Sequence, residues 1–188
     1  SQITVSPPSA SLVYGATRVF SAAVQDQFGD PQLPLPDLSW STTGGGTIDA
    51  SGTFTAQEPG GPFTIRASHG AVSGTASVTV NQAPATITLS NLARIFDNTP
   101  KTVTATTLPA GLPVEISYND TAAAPSEFGS YTVQATITDP NYTGSATATL
   151  TITGLPLTNW EAQQFTAAQI TSGAAADFAD PDEDGLTN

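Results

Sequence analysis

The sequence has no cysteine and no methionine, a single histidine, and four basic residues against sixteen acidic ones. Without cysteine there are no disulfides, thiol nucleophiles or thiolate zinc sites, so stability must come from packing, with help at most from a metal bound through oxygen. The net charge of −12 repels phosphate backbones and anionic lipid headgroups, which sets aside nucleic acid and membrane surfaces as partners. No apolar run reaches the roughly 20 residues of a spanning helix, so no membrane insertion is expected in this segment. Residues 1–5 read as a strand rather than a signal peptide, so any export signal is expected upstream or already removed. Catalytic equipment is equally sparse. There is no Gly-x-Ser-x-Gly elbow, phosphate loop or histidine-rich metal motif, and His69, in Ser68-His69-Gly70, reads as a hairpin turn residue rather than a general base. Asp26, Asp30, Asp37, Glu115 and Glu127 are scattered, and no spacing selects a glycosidase pair among them.

What the chain does contain is a repeat. Gly61-Pro62-Phe63-Thr64-Ile65-Arg66-Ala67-Ser68, followed by Thr75-Ala76-Ser77-Val78-Thr79-Val80, returns as Gly129-Ser130-Tyr131-Thr132-Val133-Gln134-Ala135-Thr136, followed by Thr147-Ala148-Thr149-Leu150-Thr151-Ile152. Each run alternates apolar with small polar residues, the period of a strand with one buried face. Two copies predict an all-β chain of two tandem immunoglobulin-like sandwiches at 1–81 and 86–153, joined by a linker at 82–85 and followed by a tail at 154–188.

In the first half, Ile3 and Val5 begin an alternation that Pro7-Pro8 interrupts, which predicts a strand that leaves one sheet edge and turns. A proline-spaced connection over 31–36 leads to Leu38-Ser39-Trp40-Ser41, where Trp40 is expected at the centre of the core. Trp40, the run Gly46-Thr47-Ile48-Asp49-Ala50-Ser51-Gly52-Thr53-Phe54-Thr55-Ala56 and the closing Gly74-Thr75-Ala76-Ser77-Val78-Thr79-Val80 resemble the bacterial immunoglobulin-like group 2 family over about 1–81. The resemblance implies a disulfide-free seven-strand sandwich of surface adhesins and secreted enzymes, and carries no catalytic residue with it.

Strands are predicted in the second half at 85–89, 101–106, 114–118, 130–138 and 145–152, separated by turns at 97–100, 108–111 and 139–142. The elements Gly129-Ser130-Tyr131 and Asp139-Pro140-Asn141-Tyr142, with Ala124-Pro125-Ser126-Glu127-Phe128, resemble the mostly-bacterial immunoglobulin-like (MBG) modules over about 84–153. The implication is again a repeat module of long extracellular proteins. Asn119-Asp120-Thr121 and Asn141-Tyr142-Thr143 are formal glycosylation sequons that read as turns in such a chain. Lys101, the sole lysine, lacks the motif context of an isopeptide crosslink.

After Gly154 the period changes. Thr158-Asn159-Trp160-Glu161 has the form of a capping box, and Trp160, Phe165 and Ala168 share one helical face, which predicts a short docking helix over 159–169. Five acidic residues then fall within 177–188. Asp180, Asp182 and Asp184 stand at positions 1, 3 and 5 of a calcium loop, Gly185 permits the turn, Leu186 would bind through its carbonyl at position 7, and Asn188 stands at position 9. The segment resembles thrombospondin type 3 and dockerin calcium loops. The sequence ends before the acidic ligand expected at position 12, so the expectation is a site completed by residues after Asn188.

Together these features point to a noncatalytic structural or adhesive segment of a bacterial cell-surface or extracellular protein, with calcium stiffening its C-terminal end. Its partners would be neighbouring domains of a longer chain and a glycan or protein surface ligand. The alternative is an accessory region of a secreted polysaccharide-degrading or proteolytic enzyme. That role needs exposed aromatics for sugar stacking, for which Tyr14, Tyr118 and above all Tyr142 are the candidates.

Overall fold

The computed structural model describes residues 1–154, and every regular element among them is a β-strand, as the alternating pattern predicts. In chain order these are β1 (Gln2–Ser6), β2 (Ser9–Val13), β3 (Thr17–Val19), β4 (Ser21–Gln25), β5 (Ser39–Thr42), β6 (Gly46–Ile48), β7 (Thr53–Ala56), β8 (Gly60–His69) and β9 (Val72–Asn81). They continue as β10 (Ala83–Pro84), β11 (Thr86–Ser90), β12 (Ala93–Ile95), β13 (Thr104–Leu108), β14 (Val114–Tyr118), β15 (Gly129–Ile137), β16 (Tyr142–Thr143) and β17 (Ser145–Thr153). The helix expected over 159–169 and the acidic loop at 177–188 lie outside the described residues.

The chain divides into two compact units. Among the described residues the first comprises Ser1–Thr88, Thr106–Glu115 and Ala135–Ala146, and the second comprises Leu89–Ala105, Ile116–Gln134 and residues 147–154. The division does not fall at 82–85, because that stretch is itself paired: β10 runs parallel to β16, and the Ala83 amide donates to the Asn141 carbonyl at 2.9 Å.

Within the first unit, β1 pairs antiparallel with β4, whereas β2 pairs parallel with β9 in a different sheet. The chain changes sheet at Pro7-Pro8, where two missing amides interrupt the ladder. One sheet has the order β2-β9-β8-β5, and facing strands come from β3-β7-β6 and β1-β4. Their inward residues, among them Phe20, Phe54, Ile65, Val78 and Val80, form one core from which water is excluded. Burial of each such side chain stabilises the fold by about 1.5–3 kcal/mol. Trp40 is not at the centre of this core. It lies on β5, the outermost strand of its sheet, and is half-buried at the margin, while Phe20 and Phe54 fill the middle.

The core of the second unit is Val103, Tyr118, Val133, Leu150 and Ile152, the last four on strands of the sheet ordered β12-β17-β15-β14. The repeat is visible in burial. Ile65 and Ala67 on β8 match Val133 and Ala135 on β15, and Val78 and Val80 on β9 match Leu150 and Ile152 on β17, all eight buried. Four strands escaped the sequence pattern: β10 and β16 fall where a linker and a turn are expected, and β2 and β12 lack apolar contrast. β2 carries only Ala10 and Leu12 on its inner face, and β12 has three exposed residues that are held by parallel pairing with Thr151, Ile152 and Thr153.

Candidate interaction surface

Of the scattered carboxylates Asp26, Asp30, Asp37, Glu115 and Glu127, only Asp26 is held in a turn, and three other aspartates are held in the same way. Oδ1 of Asp26, Asp49, Asp97 and Asp139 each accepts the backbone amide two residues on, from Phe28, Ser51, Thr99 and Asn141, at 2.8, 2.8, 3.0 and 2.8 Å. This is the Asx turn, in which the side chain takes the place of a backbone carbonyl. Asp49 also accepts from the Ser51 hydroxyl and the Thr53 amide, and these bonds, the hydroxyl first, lower its pKa. Asp97 is lowered to about 2, first by the hydrogen bond from Lys101 and then by Thr99.

Lys101 is 3% exposed, and its Nζ donates to Asp97 Oδ1 and to Thr99 Oγ1. Its ammonium thereby closes the turn at 97–100, and its own amide donates to the Pro125 carbonyl at 2.8 Å. His69 ends β8 and places Nδ1 2.9 Å from the Asp37 carbonyl, so it tethers the β4–β5 connection. Among the described residues no group of three or more histidine, aspartate or glutamate side chains could hold a metal. The calcium-loop residues Asp180, Asp182, Asp184, Leu186 and Asn188 lie outside the described residues.

The three tyrosines considered for sugar stacking have different surroundings. Tyr118 is buried, and its hydroxyl accepts the Val103 amide at 3.0 Å. Tyr142 is half-buried on β16, where its ring meets that of Tyr14 edge-on, with centroids 5.4 Å apart and planes at 70°. Each ring therefore has an aromatic neighbour within the first unit. A hollow of about 360 Å³ in the second unit is lined by Tyr118, Asn119, Pro125, Glu127 and Tyr131. Two of its polar groups are engaged within the chain: the Tyr131 hydroxyl donates to the Glu127 carbonyl, and Asn119 Oδ1 accepts the Thr132 amide.

A concave surface in the first unit has no counterpart in the sequence expectations. A cleft of about 620 Å³ opens between the β3–β4 segment, the β4–β5 connection and the β6–β7 turn. Its walls are Val19, Phe20, Leu35, Pro36, Leu38 and Trp40, with Asp37 and Ser51 among its polar lining. Beside it the connection forms an ordered tip. Asp26 Oδ1 accepts from both Phe28 and Asp30, the Asp26 amide donates to the Asp30 carbonyl, and the Gln32 amide donates to the Val24 carbonyl. This scaffold leaves Phe28 80%, Leu33 83%, Val19 60% and Leu35 51% exposed. The only hint in the sequence was an apolar, proline-spaced run where a turn would ordinarily be polar.

Residues 85–155 match the family model of the MBG domain. No curated protein matches the chain. Solved structures similar to it include the four N-terminal immunoglobulin domains of Dscam1 isoform 6.9, at 14% identity and a TM-score of 0.40, covering 82% of this chain and 46% of that one. The adhesin InvE of Yersinia pseudotuberculosis is similar at 13% identity and a TM-score of 0.41, with 80% and 58% covered. Domains 4 and 5 of the S-layer protein SbsC are similar at 14% identity and a TM-score of 0.36, with 83% and 98% covered. The chain spans about half the length of the first two.

Proposed function

We propose that this chain is a noncatalytic structural and adhesive segment of a bacterial cell-surface or extracellular multidomain protein. It would be built from immunoglobulin-like modules at 1–81 and 86–153 with a tail at 154–188. The observation that carries the reading is the repeated closing strand pair, β8–β9 and β15–β17, with matching core positions, its second copy lying within the MBG-domain match. The Asx turns support it further, because they commit four carboxylates to backbone hydrogen bonds. In the same reading the acidic tail is part of a calcium loop that stiffens the end of the segment, with Asp180, Asp182, Asp184, the Leu186 carbonyl and Asn188 as ligands.

Affinity electrophoresis through cellulose derivatives, xylan, chitin, mannan and peptidoglycan fragments tests the reading against the accessory-enzyme alternative. A structural segment migrates unretarded in all of them. Retardation that Tyr142→Ala abolishes would install a carbohydrate-binding role instead. For the metal, calcium should raise the melting temperature of a version carrying further residues after Asn188. No rise and no bound ion would remove calcium from the proposal.

A further inference from the structure

We propose that the cleft beside Trp40, together with the ordered tip that carries Phe28 and Leu33, is a docking site for a polypeptide that inserts an apolar side chain flanked by lysine or arginine. Large apolar side chains that stand clear of a folded surface mark interaction sites when they are contiguous and held in place. Here the backbone that carries them is held: Asp26 Oδ1 accepts the Phe28 amide, and the Gln32 amide donates to the Val24 carbonyl of β4. Leu33 and Leu35 follow on the same connection, and Leu35 continues into the cleft wall. Rigid presentation lowers the ordering cost of binding.

The chemistry of the lining selects the occupant. A sugar site needs an open aromatic face ringed by hydrogen-bonding groups, but most of the walls here are aliphatic or proline, and prolines 31, 34 and 36 donate no amide. A cavity of about 620 Å³ with such walls fits an aliphatic or aromatic side chain. The charge on the β4–β5 connection has one sign. Residues 19–65 contain no lysine or arginine, while Asp30 and Asp37 are exposed on the connection itself. A partner with basic residues beside its apolar anchor is therefore attracted, and an acidic one is repelled. The same argument disfavours a second copy, since two chains of charge −12 would bring these carboxylates together.

Titration of the isotopically labelled 188-residue chain with three hexapeptides, followed by amide and Trp40 indole NMR shifts, tests the proposal. The first peptide carries Leu-Trp between paired lysines, the second replaces Leu-Trp by Gly-Gly, and the third replaces the lysines by glutamates. The first should shift Val19, Phe28, Leu33, Leu35 and the Trp40 indole, and the others should leave them in place. Phe28→Ser combined with Leu33→Ser, both at exposed positions, should weaken binding at least about tenfold. Asp30→Asn with Asp37→Asn should weaken it about two- to fivefold and reduce its salt dependence. The proposal is overturned by no shift at millimolar peptide, by equal shifts with the Gly-Gly peptide, or by binding that survives the Phe28/Leu33 variant. Shifts of the same residues with cellohexaose, or with protein concentration alone, would likewise replace it by a glycan site or a self-association face.

Discussion

Lys101 is the one charged residue buried among the described residues, and the exposed Asp97 ties its ammonium in place. Lys101 is buried, so its ammonium depends on Asp97 and Thr99 for partners. Because the folded-state pKa of Asp97 lies near 2, below the ordinary carboxylate value, its contribution to stability is present above about pH 4 and is lost as pH falls through about 2. Asp49 is shifted in the same direction by the Ser51 hydroxyl and acts over the same acidic side. Melting curves from pH 5 to pH 2 should therefore show a falling midpoint, and Asp97→Asn should flatten that fall while lowering the midpoint at pH 7. An unchanged slope in the variant would assign the acid sensitivity to other groups. The core makes a second prediction at this scale. Phe54→Ala removes a ring from the sealed centre and should cost about 3–5 kcal/mol, whereas Trp40→Ala at the sheet margin should cost less, about 2 kcal/mol. Urea unfolding of the two variants checks the order, which is the reverse of what the size of tryptophan suggests.

The strands divide into those that side-chain pattern specifies and those that pairing specifies. β8, β9, β14, β15 and β17 alternate strongly, and their observed bounds follow the sequence expectation within a residue or two. β2 and β12 have little apolar contrast, and only the parallel partners β9 and β17 hold them extended. Two glycines show the same dependence on a neighbour. A Cβ at Gly74, within β9, would strike the Ile3 carbonyl, and one at Gly144, just before β17, would strike the Ala85 carbonyl. Neither has a left-handed backbone, so the requirement is close approach and not φ. Gly74→Ala and Gly144→Ala should each cost about 1–3 kcal/mol, because a backbone oxygen cannot move aside as a side chain could. Gly111→Ala meets open space at φ +83° and should cost about 1–2 kcal/mol from backbone strain alone. Chemical denaturation of the three proteins separates the two causes only if Gly111→Ala is also made as Gly111→Asn, which tolerates that φ and should recover part of the loss.

At the scale of the whole chain, sixteen acidic residues face only four basic ones, and one of those four is buried. Self-repulsion then opposes the compact state, so raising sodium chloride from 20 to about 300 mM should raise the melting temperature as the Debye length falls below about 10 Å. A flat or falling response would show that specific pairs outweigh the net charge. Hydrogen exchange should be slowest on β8 and β9 in the first unit and on β15 and β17 in the second, where the buried core residues are concentrated. The sequence by itself determined the all-β class, the repeated closing pair, the change of sheet at Pro7-Pro8 and the turn sites, because period-2 alternation, missing proline amides and Asx chemistry act over a few residues. Only the tertiary structure decided that Trp40 stands at a margin while Phe20 and Phe54 seal the centre, that Tyr14 and Tyr142 occupy one another, and that Phe28 and Leu33 stand in solvent beside a cleft. Those outcomes depend on which strand is outermost and which loops meet, relations between residues far apart in the chain that no local pattern encodes.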